Sequence, residues 1–442
     1  MDSHLTSSLI PRNWKQWKFW IFVCVQLLLI VGSTQADRKL QQQSANQLRQ
    51  LQAHTINNNT QHAPPVMSFS VSDGSWVDCI PIEGQIAAYH PALNGHKIHT
   101  EPSSSTRRSS RVQSSHLHPQ LFAREQGGCP EGSIPLKRSD SSHKFLKKST
   151  TNGTELIIPK GNKREIHEHV TVALQQSPHS YSGSHAVFSV NGPILESEED
   201  FSLSQLWIFD GEWDDGTWST IEVGWQTQPL MHPHDEPLAP HLFIFWTHDA
   251  YNNTGCYDLE CPGFVQVDSK WVIGGAMPSY TTLAENKSLE FEVELEVLYD
   301  PAQSVWWLYV NNDPVGYWPA SIFDGRLQGS ASKLEWGGEI CYFREANVDV
   351  RSKTAMGSGA LPLHGYPIAA YLRNISYADA DGHFFDAKPS VLRRHGGRQF
   401  PLCYDIAIQE NGSRDWGAYF FFGGSGLNNP GCPLGIPNEG IR

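Results

Sequence analysis

The stretch Leu289-Glu290-Phe291-Glu292-Val293-Glu294-Leu295-Glu296-Val297-Leu298 alternates apolar and acidic side chains without a break as far as Val297. Successive side chains of a strand point to opposite faces. Period two therefore puts Phe291, Val293, Leu295 and Val297 on one face and the four glutamates on the other. The reading is a half-buried strand with a solvated acidic face, and such glutamates are poor catalytic candidates. Just downstream, Trp306-Trp307-Leu308-Tyr309-Val310, Asn311-Asn312-Asp313-Pro314 and Val315-Gly316-Tyr317-Trp318 read as strand, turn, strand. Short strand-like runs recur at 206–209, 221–225, 241–246, 264–267 and 417–422, and no long helical period appears among them. Residues 165–442 are expected to form an all-β sandwich or barrel with ample chain to bury a core.

The chain ahead of this domain has a different character. Arg12, Lys15 and Lys18 precede an apolar run over 19–31 broken only by Gln26, and Gly32-Ser33-Thr34-Gln35-Ala36 supplies small residues. This is the pattern of a signal peptide over 1–36, cleaved after Ala36. The run is short against the roughly 20 residues needed to span a bilayer, so no membrane attachment is expected after cleavage. Export to wall, extracellular fluid or vacuole implies a compartment where disulfides persist. Loss of Cys24 leaves Cys79, Cys129, Cys256, Cys261, Cys341, Cys403 and Cys432. Connectivity does not follow from sequence. Grouping suggests Cys256 with Cys261, Cys403 with Cys432 and Cys79 with Cys129, leaving Cys341 over. Asn58, Asn152, Asn252, Asn286, Asn374 and Asn411 begin N-x-S/T sequons, the acceptors of glycosylated surface loops.

Residues 37–65 are rich in Gln and Asn, and a cysteine-bearing segment follows to Arg138, with a Ser/Arg-rich loop over 100–115. A polar, lysine-bearing linker over 139–164 is a natural place for proteolytic nicking. From 37 to 164 there are 16 Lys and Arg against 9 Asp and Glu; from 165 onward there are 14 against 36. A +7 segment before a −22 domain suggests that the first lies on the second, an attraction that weakens as carboxylates protonate. The overall acidity argues against nucleic acid as a partner.

Two short strings carry the chemistry: Ile221-Glu222-Val223-Gly224-Trp225 and Trp336-Gly337-Gly338-Glu339. Each sets a glutamate beside glycine and tryptophan. Two carboxylates held close cannot both ionise easily, so one keeps a proton while the other is a base. Trp225, Trp246, Trp318 and Trp336 are candidates to line substrate subsites, although a tryptophan is more often core packing. Other motifs are weaker. His167-Glu168-His169 is not H-E-x-x-H, His232-Pro233-His234-Asp235-Glu236 reads as a polar turn, and Gly423-Gly424-Ser425-Gly426 opens no helix. No cysteine pair falls in a CxxC zinc arrangement, so neither metal nor cofactor is expected.

These strings, in order, resemble the plant neprosin family of secreted glutamic peptidases. Asp78-Cys79-Ile80, His90-Pro91-Ala92-Leu93, Glu101-Pro102-Ser103 and Cys129-Pro130-Glu131-Gly132 are similar to its activation peptide. Phe201-Ser202-Leu203-Ser204-Gln205-Leu206-Trp207, Glu222-Val223-Gly224-Trp225-Gln226, Cys261-Pro262-Gly263-Phe264-Val265-Gln266, Trp336-Gly337-Gly338-Glu339 and Met356-Gly357-Ser358-Gly359 are similar to its peptidase domain. The resemblance implies an antiparallel, jelly-roll-like β-sandwich with a cleft on one face and catalytic glutamates at Glu222 and Glu339. It also implies disulfides Cys256–Cys261 and Cys403–Cys432, and a zymogen working in acid with cleavage after proline. The domain plan is then signal peptide 1–36, activation propeptide 37–138, linker 139–164 and peptidase domain 165–442. Expected partners are a protein or peptide substrate and the propeptide as intramolecular inhibitor. Cys341, two residues past Glu339, departs from the family pattern, as does the long Ser/Arg-rich insertion. The rival class is a non-catalytic extracellular or cell-wall β-sandwich binding protein, which would tolerate loss of either glutamate.

Overall fold

The structure, a computed structural model, describes residues 62–104, 120–138 and 163–436, apart from 178, 213–215, 233–234, 237, 278–279, 282–290, 396–399 and 411–415. The chain divides into two units, 1–61 and 62–442, and all described residues belong to the second. The expected signal peptide, the Ser/Arg-rich insertion beyond residue 104, linker residues 139–162 and the sequons at Asn58, Asn152, Asn286 and Asn411 lie outside the described residues.

Three antiparallel sheets organise the described chain. A small one runs β1 (Met67–Ser70), β2 (Trp76–Pro81), β3 (Ser133–Lys137), with the short helix α1 (Leu121–Gln126) beside it. A Cys79–Cys129 disulfide ties β2 to the segment after α1, and Val71, Val77 and Phe122 pack there with Val272 of the following domain. The second sheet has seven strands: β4 (Lys163–Leu174), β6 (Phe201–Asp210), β7 (Ser219–Thr227), β8 (His241–Thr247), β9 (Cys256–Tyr257), β14 (Lys333–Glu345) and β17 (Leu392–Arg394). Their order is β17-β4-β14-β6-β7-β8-β9. The third sheet has nine strands: β5 (Tyr181–Ser189), β10 (Val265–Gln266), β11 (Glu292–Asp300), β12 (Val305–Val310), β13 (Asp313–Pro319), β15 (Ala370–Asp379), β16 (Phe384–Asp386), β18 (Asp405–Ile408) and β19 (Phe420–Gly423). It runs β10-β13-β12-β11-β5-β15-β19-β18, with β16 on β15.

The two large sheets form the all-β antiparallel sandwich. Leu206, Ile221, Val223, Ile244 and Ile340 of one inner face meet Phe188, Val293, Leu295, Val297, Leu372 and Phe422 of the other in one cluster. Burying each such side chain contributes about 1.5–3 kcal/mol. The alternation in β11 thus sends its apolar residues inward. The second half of that expectation fails: Glu292, Glu294 and Glu296 are buried, not solvated. Period two shows only that they face away from the core. Polar partners on neighbouring strands close around them. Arg373 binds both oxygens of Glu292 at 2.6 Å, Tyr371 Oη donates to Glu292 at 2.9 Å, and His185 Nε2 lies 2.7 Å from Glu294.

Cys256–Cys261 and Cys403–Cys432 are bonded, and Cys341 is a buried free thiol. The described residues of 62–138 pack on the large-sheet domain through side chains that imitate strand partners. Gln85 accepts from Gln266 N at 2.9 Å and donates to Gln266 O at 3.0 Å, satisfying the edge strand β10. Gln120 does the same for Val272, at 2.7 and 3.0 Å. Ala87 and Leu93 enter the main core, and His96 Nε2 lies 2.9 Å from Tyr317 Oη. No described helix is long and apolar enough to cross a membrane.

Candidate active site

The outer face of the seven-stranded sheet holds both sequence-selected glutamates. Strand pairing makes three lateral rows of side chains on that face. One reads His169, Glu339, Leu203, Gln226, His241; the next Thr171, Gly337, Gln205, Gly224, Phe243; the third Glu335, Trp207, Glu222, Phe245, Tyr257. Gln205 therefore stands at the centre with glycine on either side. Glu339 and Glu222 sit diagonally about it, on the strands flanking β6. The glycines are required by close approach: a Cβ at Gly224 would lie 2.0 Å from Ser204 O, and one at Gly337 would lie 2.1 Å from Val170 O.

Both carboxylates are fully buried. Gln205 Nε2 donates to Glu222 Oε2 at 2.9 Å, Thr220 Oγ1 donates to Glu222 Oε1 at 3.0 Å, and Tyr251 Oη donates to the same oxygen. Tyr251 reaches in from the β8–β9 loop, where its left-handed backbone (φ 61°) aims the ring at β7. Glu339 Oε1 lies 2.6 Å from His167 Nδ1 and 3.3 Å from His169 Nε2. His167 Nε2 lies 3.1 Å from Glu165 Oε1, and Cys341 Sγ, on the same face, lies 3.7 Å from that oxygen. Burial pulls the His167 pKa down, but the Glu165 and Glu339 carboxylates hydrogen-bonded to the ring push it above the ordinary histidine value; Cys341, itself pushed up to about 12 by burial, is a neutral thiol that adds no charge. Burial and then the negative charge of Glu222 hold the Tyr251 phenol well above its usual value, so it is a committed donor. Burial and both glutamates do the same to Tyr257.

The four candidate tryptophans are elsewhere. Trp225, Trp246, Trp318 and Trp336 are buried in the inter-sheet core. Trp225 is three residues past Glu222 and Trp336 three before Glu339, and an odd separation on a strand means opposite faces. The rings clustered on the glutamates' face include Phe201, Trp207, Phe209, Phe243, Phe245, Tyr251 and Tyr257. Of the described sequons, Asn252 is exposed and Asn374 partly buried. The sequence reading passed over Gln205, Thr220, Tyr251 and Tyr257 as site residues and set His167 and His169 aside. Strand parity from Glu222 picks out Thr220, but loop-borne Tyr251 has no periodic signal.

Two buried carboxylates supplied with hydroxyl, amide and imidazole partners can run acid–base hydrolysis. The Neprosin family model matches residues 198–425, and the Neprosin activation peptide model matches residues 68–188, past the linker and into β5. Among solved structures, scytalido-glutamic peptidase with a peptide-based transition-state analogue covers 59% of this chain and 99% of its own, at 9% identity and a TM-score of 0.30. The same enzyme with a transition-state-analogue inhibitor covers 58% and 98%, at 10% identity and a TM-score of 0.31. The β-porphyranase BpGH16B from the human gut bacterium Bacteroides plebeius covers 40% and 64%, at 9% identity and a TM-score of 0.14. At these scores the structural likenesses decide nothing. Family match and site together define a glutamic-type peptidase carried behind its own activation peptide. The chain belongs to the neprosin family.

Proposed function

We propose that this protein is an exported, acid-active endopeptidase held latent by its prosegment, in which Glu222 and Glu339 cleave peptide bonds by activating water. The observation that carries the reading is the diagonal pair of buried carboxylates about the glycine-flanked Gln205. In acid His167 is the charged partner of Glu339, which suits Glu339 to act as the base that takes the water's proton. Glu222 then carries the proton that hydrogen-bonds the scissile carbonyl oxygen and later passes to the leaving amine. The water oxygen bonds to the carbonyl carbon and the C–N bond breaks. Trp207, Phe243 and Tyr257 offer flat apolar surface that suits a proline ring, the specificity implied by family resemblance. The leader sequence and three disulfides support export.

Acid release of the prosegment has a local basis. Lys137 Nζ at the end of β3 lies 2.5 Å from Asp235 Oδ2 and 3.0 Å from His232 Nδ1, and Asp235 also meets His241 Nε2 at 2.6 Å. Burial lowers the His241 pKa to about 4, with the Lys137 charge adding to the effect; burial and neighbouring cations also hold His232 well below its ordinary value. The docked state thus binds fewer protons than the undocked one. Docking is strongest above pH 6.5, the ordinary histidine value, and weakens as pH falls through about 4. Residues 139–162 join Arg138, next to Lys137 beside β8, to Lys163 on β4, so the two ends lie on either side of the strands bearing Glu222 and Glu339. A cut in this linker completes activation.

The test incubates purified precursor, wild type beside Glu222→Gln and Glu339→Gln, with a denatured protein from about pH 3 to pH 7. Mass spectrometry reads fragments and self-processing. Acid-dependent cleavage lost in both variants is expected; fully processed wild-type protein that cleaves nothing at any pH sinks the reading.

A further inference from the structure

The glutamate face carries a cluster that hydrolysis uses only in part. β4 presents Glu165, His167 and His169, and β14 presents Glu339 and Cys341. One donor atom each from His167, His169 and Glu339 lie within 4.8 Å of one another. We propose that His167, His169 and Glu339 form a binding site for a divalent transition-metal ion of the zinc class, and that occupancy withdraws Glu339 from water and switches the peptidase off. The inhibitory half rests on the function proposed above; the binding half stands without it.

Three geometric features support the site. A tetrahedral zinc with bonds of about 2.0–2.1 Å spaces neighbouring donors roughly 3.3 Å apart. His169 Nε2 and Glu339 Oε1 already stand 3.3 Å apart, and the 2.6 Å contact from His167 Nδ1 has only to open by roughly 0.7 Å. The far nitrogen of His167 lies 3.1 Å from Glu165 Oε1, the carboxylate–histidine–metal relay that fixes the ring and its tautomer. The side chains of His167 and His169 keep 11% and 23% exposure, which leaves a route for the ion and a position for water. Two imidazoles with one carboxylate suit zinc, nickel or copper, whereas magnesium and calcium want oxygen ligands. Cys341 groups with Glu165 and His167 but not with His169 or Glu339, so it belongs to a neighbouring donor set rather than to this one. The other cluster of this type, His232, Asp235 and His241, already holds the Lys137 ammonium.

The experiment uses the full-length precursor near neutral pH, titrated with Zn²⁺ by calorimetry and with Co²⁺ by visible absorption. One site is expected, with the d–d bands of four- or five-coordinate Co²⁺ and no thiolate charge-transfer band. His167→Gln and His169→Gln should each weaken binding by at least about 100-fold, beyond the 10- to 100-fold lost with an outer hydrogen-bond partner. Cys341→Ser should leave it unchanged, and melting in chelator checks that each variant is folded. Absence of a site in wild type, or binding that survives both histidine variants and disappears in His241→Gln, overturns the proposal. In processed enzyme assayed at the highest pH that still supports cleavage, zinc should inhibit wild type with a midpoint near the Kd measured at that same pH. His169→Gln, compared with its own chelator-treated activity, should lose that inhibition, and equal inhibition in both removes the switch. If chelated wild type cleaves nothing, the peptidase reading fails while the binding measurements still decide the site.

Discussion

Each large sheet buries glutamates on the face turned away from the shared core, and the two sets are held differently. On the nine-stranded sheet Glu292 is clamped by two guanidinium nitrogens of Arg373, Nε and Nη2, and Glu294 by His185 and the Asn312 amide. On the seven-stranded sheet Glu222 accepts from an amide and two hydroxyls, and Glu339 meets two imidazoles. The Arg373 guanidinium gives Glu292 a countercharge that stays in place at any working pH. A carboxylate held by neutral donors, or by a ring that titrates, can exchange a proton. Burial therefore does not mark the chemical glutamates, and an imidazole partner alone does not either, since Glu294 has one; Glu222 and Glu339 stand apart in being paired about Gln205.

The comparison breaks most directly on paired substitutions. Glu222→Gln or Glu339→Gln should lower kcat by about 10²–10⁴-fold without changing the melting temperature. Glu294→Gln should lower the melting temperature and spare kcat; turnover that falls equally in both sets dissolves the distinction. Arg373→Met strands the buried Glu292 charge, and denaturant unfolding should report a loss of about 3–5 kcal/mol. Tyr251→Phe removes one hydrogen bond to Glu222. A hydrogen bond to the protonated carboxyl, worth about 0.5–1.5 kcal/mol, predicts kcat down roughly 2- to 10-fold, whereas Tyr371→Phe beside Glu292 should touch stability alone. The smallest effect concerns the latch. His241→Gln removes a titrating group, and gel filtration of nicked protein should find prosegment release about one pH unit lower than in wild type.

The sandwich was legible because alternation in β11 and the short apolar runs leave little room for another architecture. The fate of the acidic face was not. Period two separates two faces but is silent about what covers the second, and Arg373 and His185 are distant in the chain from the glutamates they neutralise. Both candidate glutamates were found, and both lie on one face. The tryptophans beside them were assigned to that face against strand parity, which sends Trp225 and Trp336 inward. Tyr251 and His167 reach the site by a loop and by a β4–β14 pairing, and neither adjacency is written in the local sequence.

The disulfides fix one more property. Cys79–Cys129 closes within the prosegment, and Cys256–Cys261 and Cys403–Cys432 close within the domain that follows, so none of the three crosses between them. Once the linker is cut, latency becomes a matter of mass action. An inhibitor tethered at an effective concentration in the millimolar range, roughly, turns into a free partner that dilution alone can remove. The small disulfide-closed module shed in this way can return to any copy of the enzyme it meets. Activity should then depend on how crowded the protein is as well as on how acidic its surroundings are.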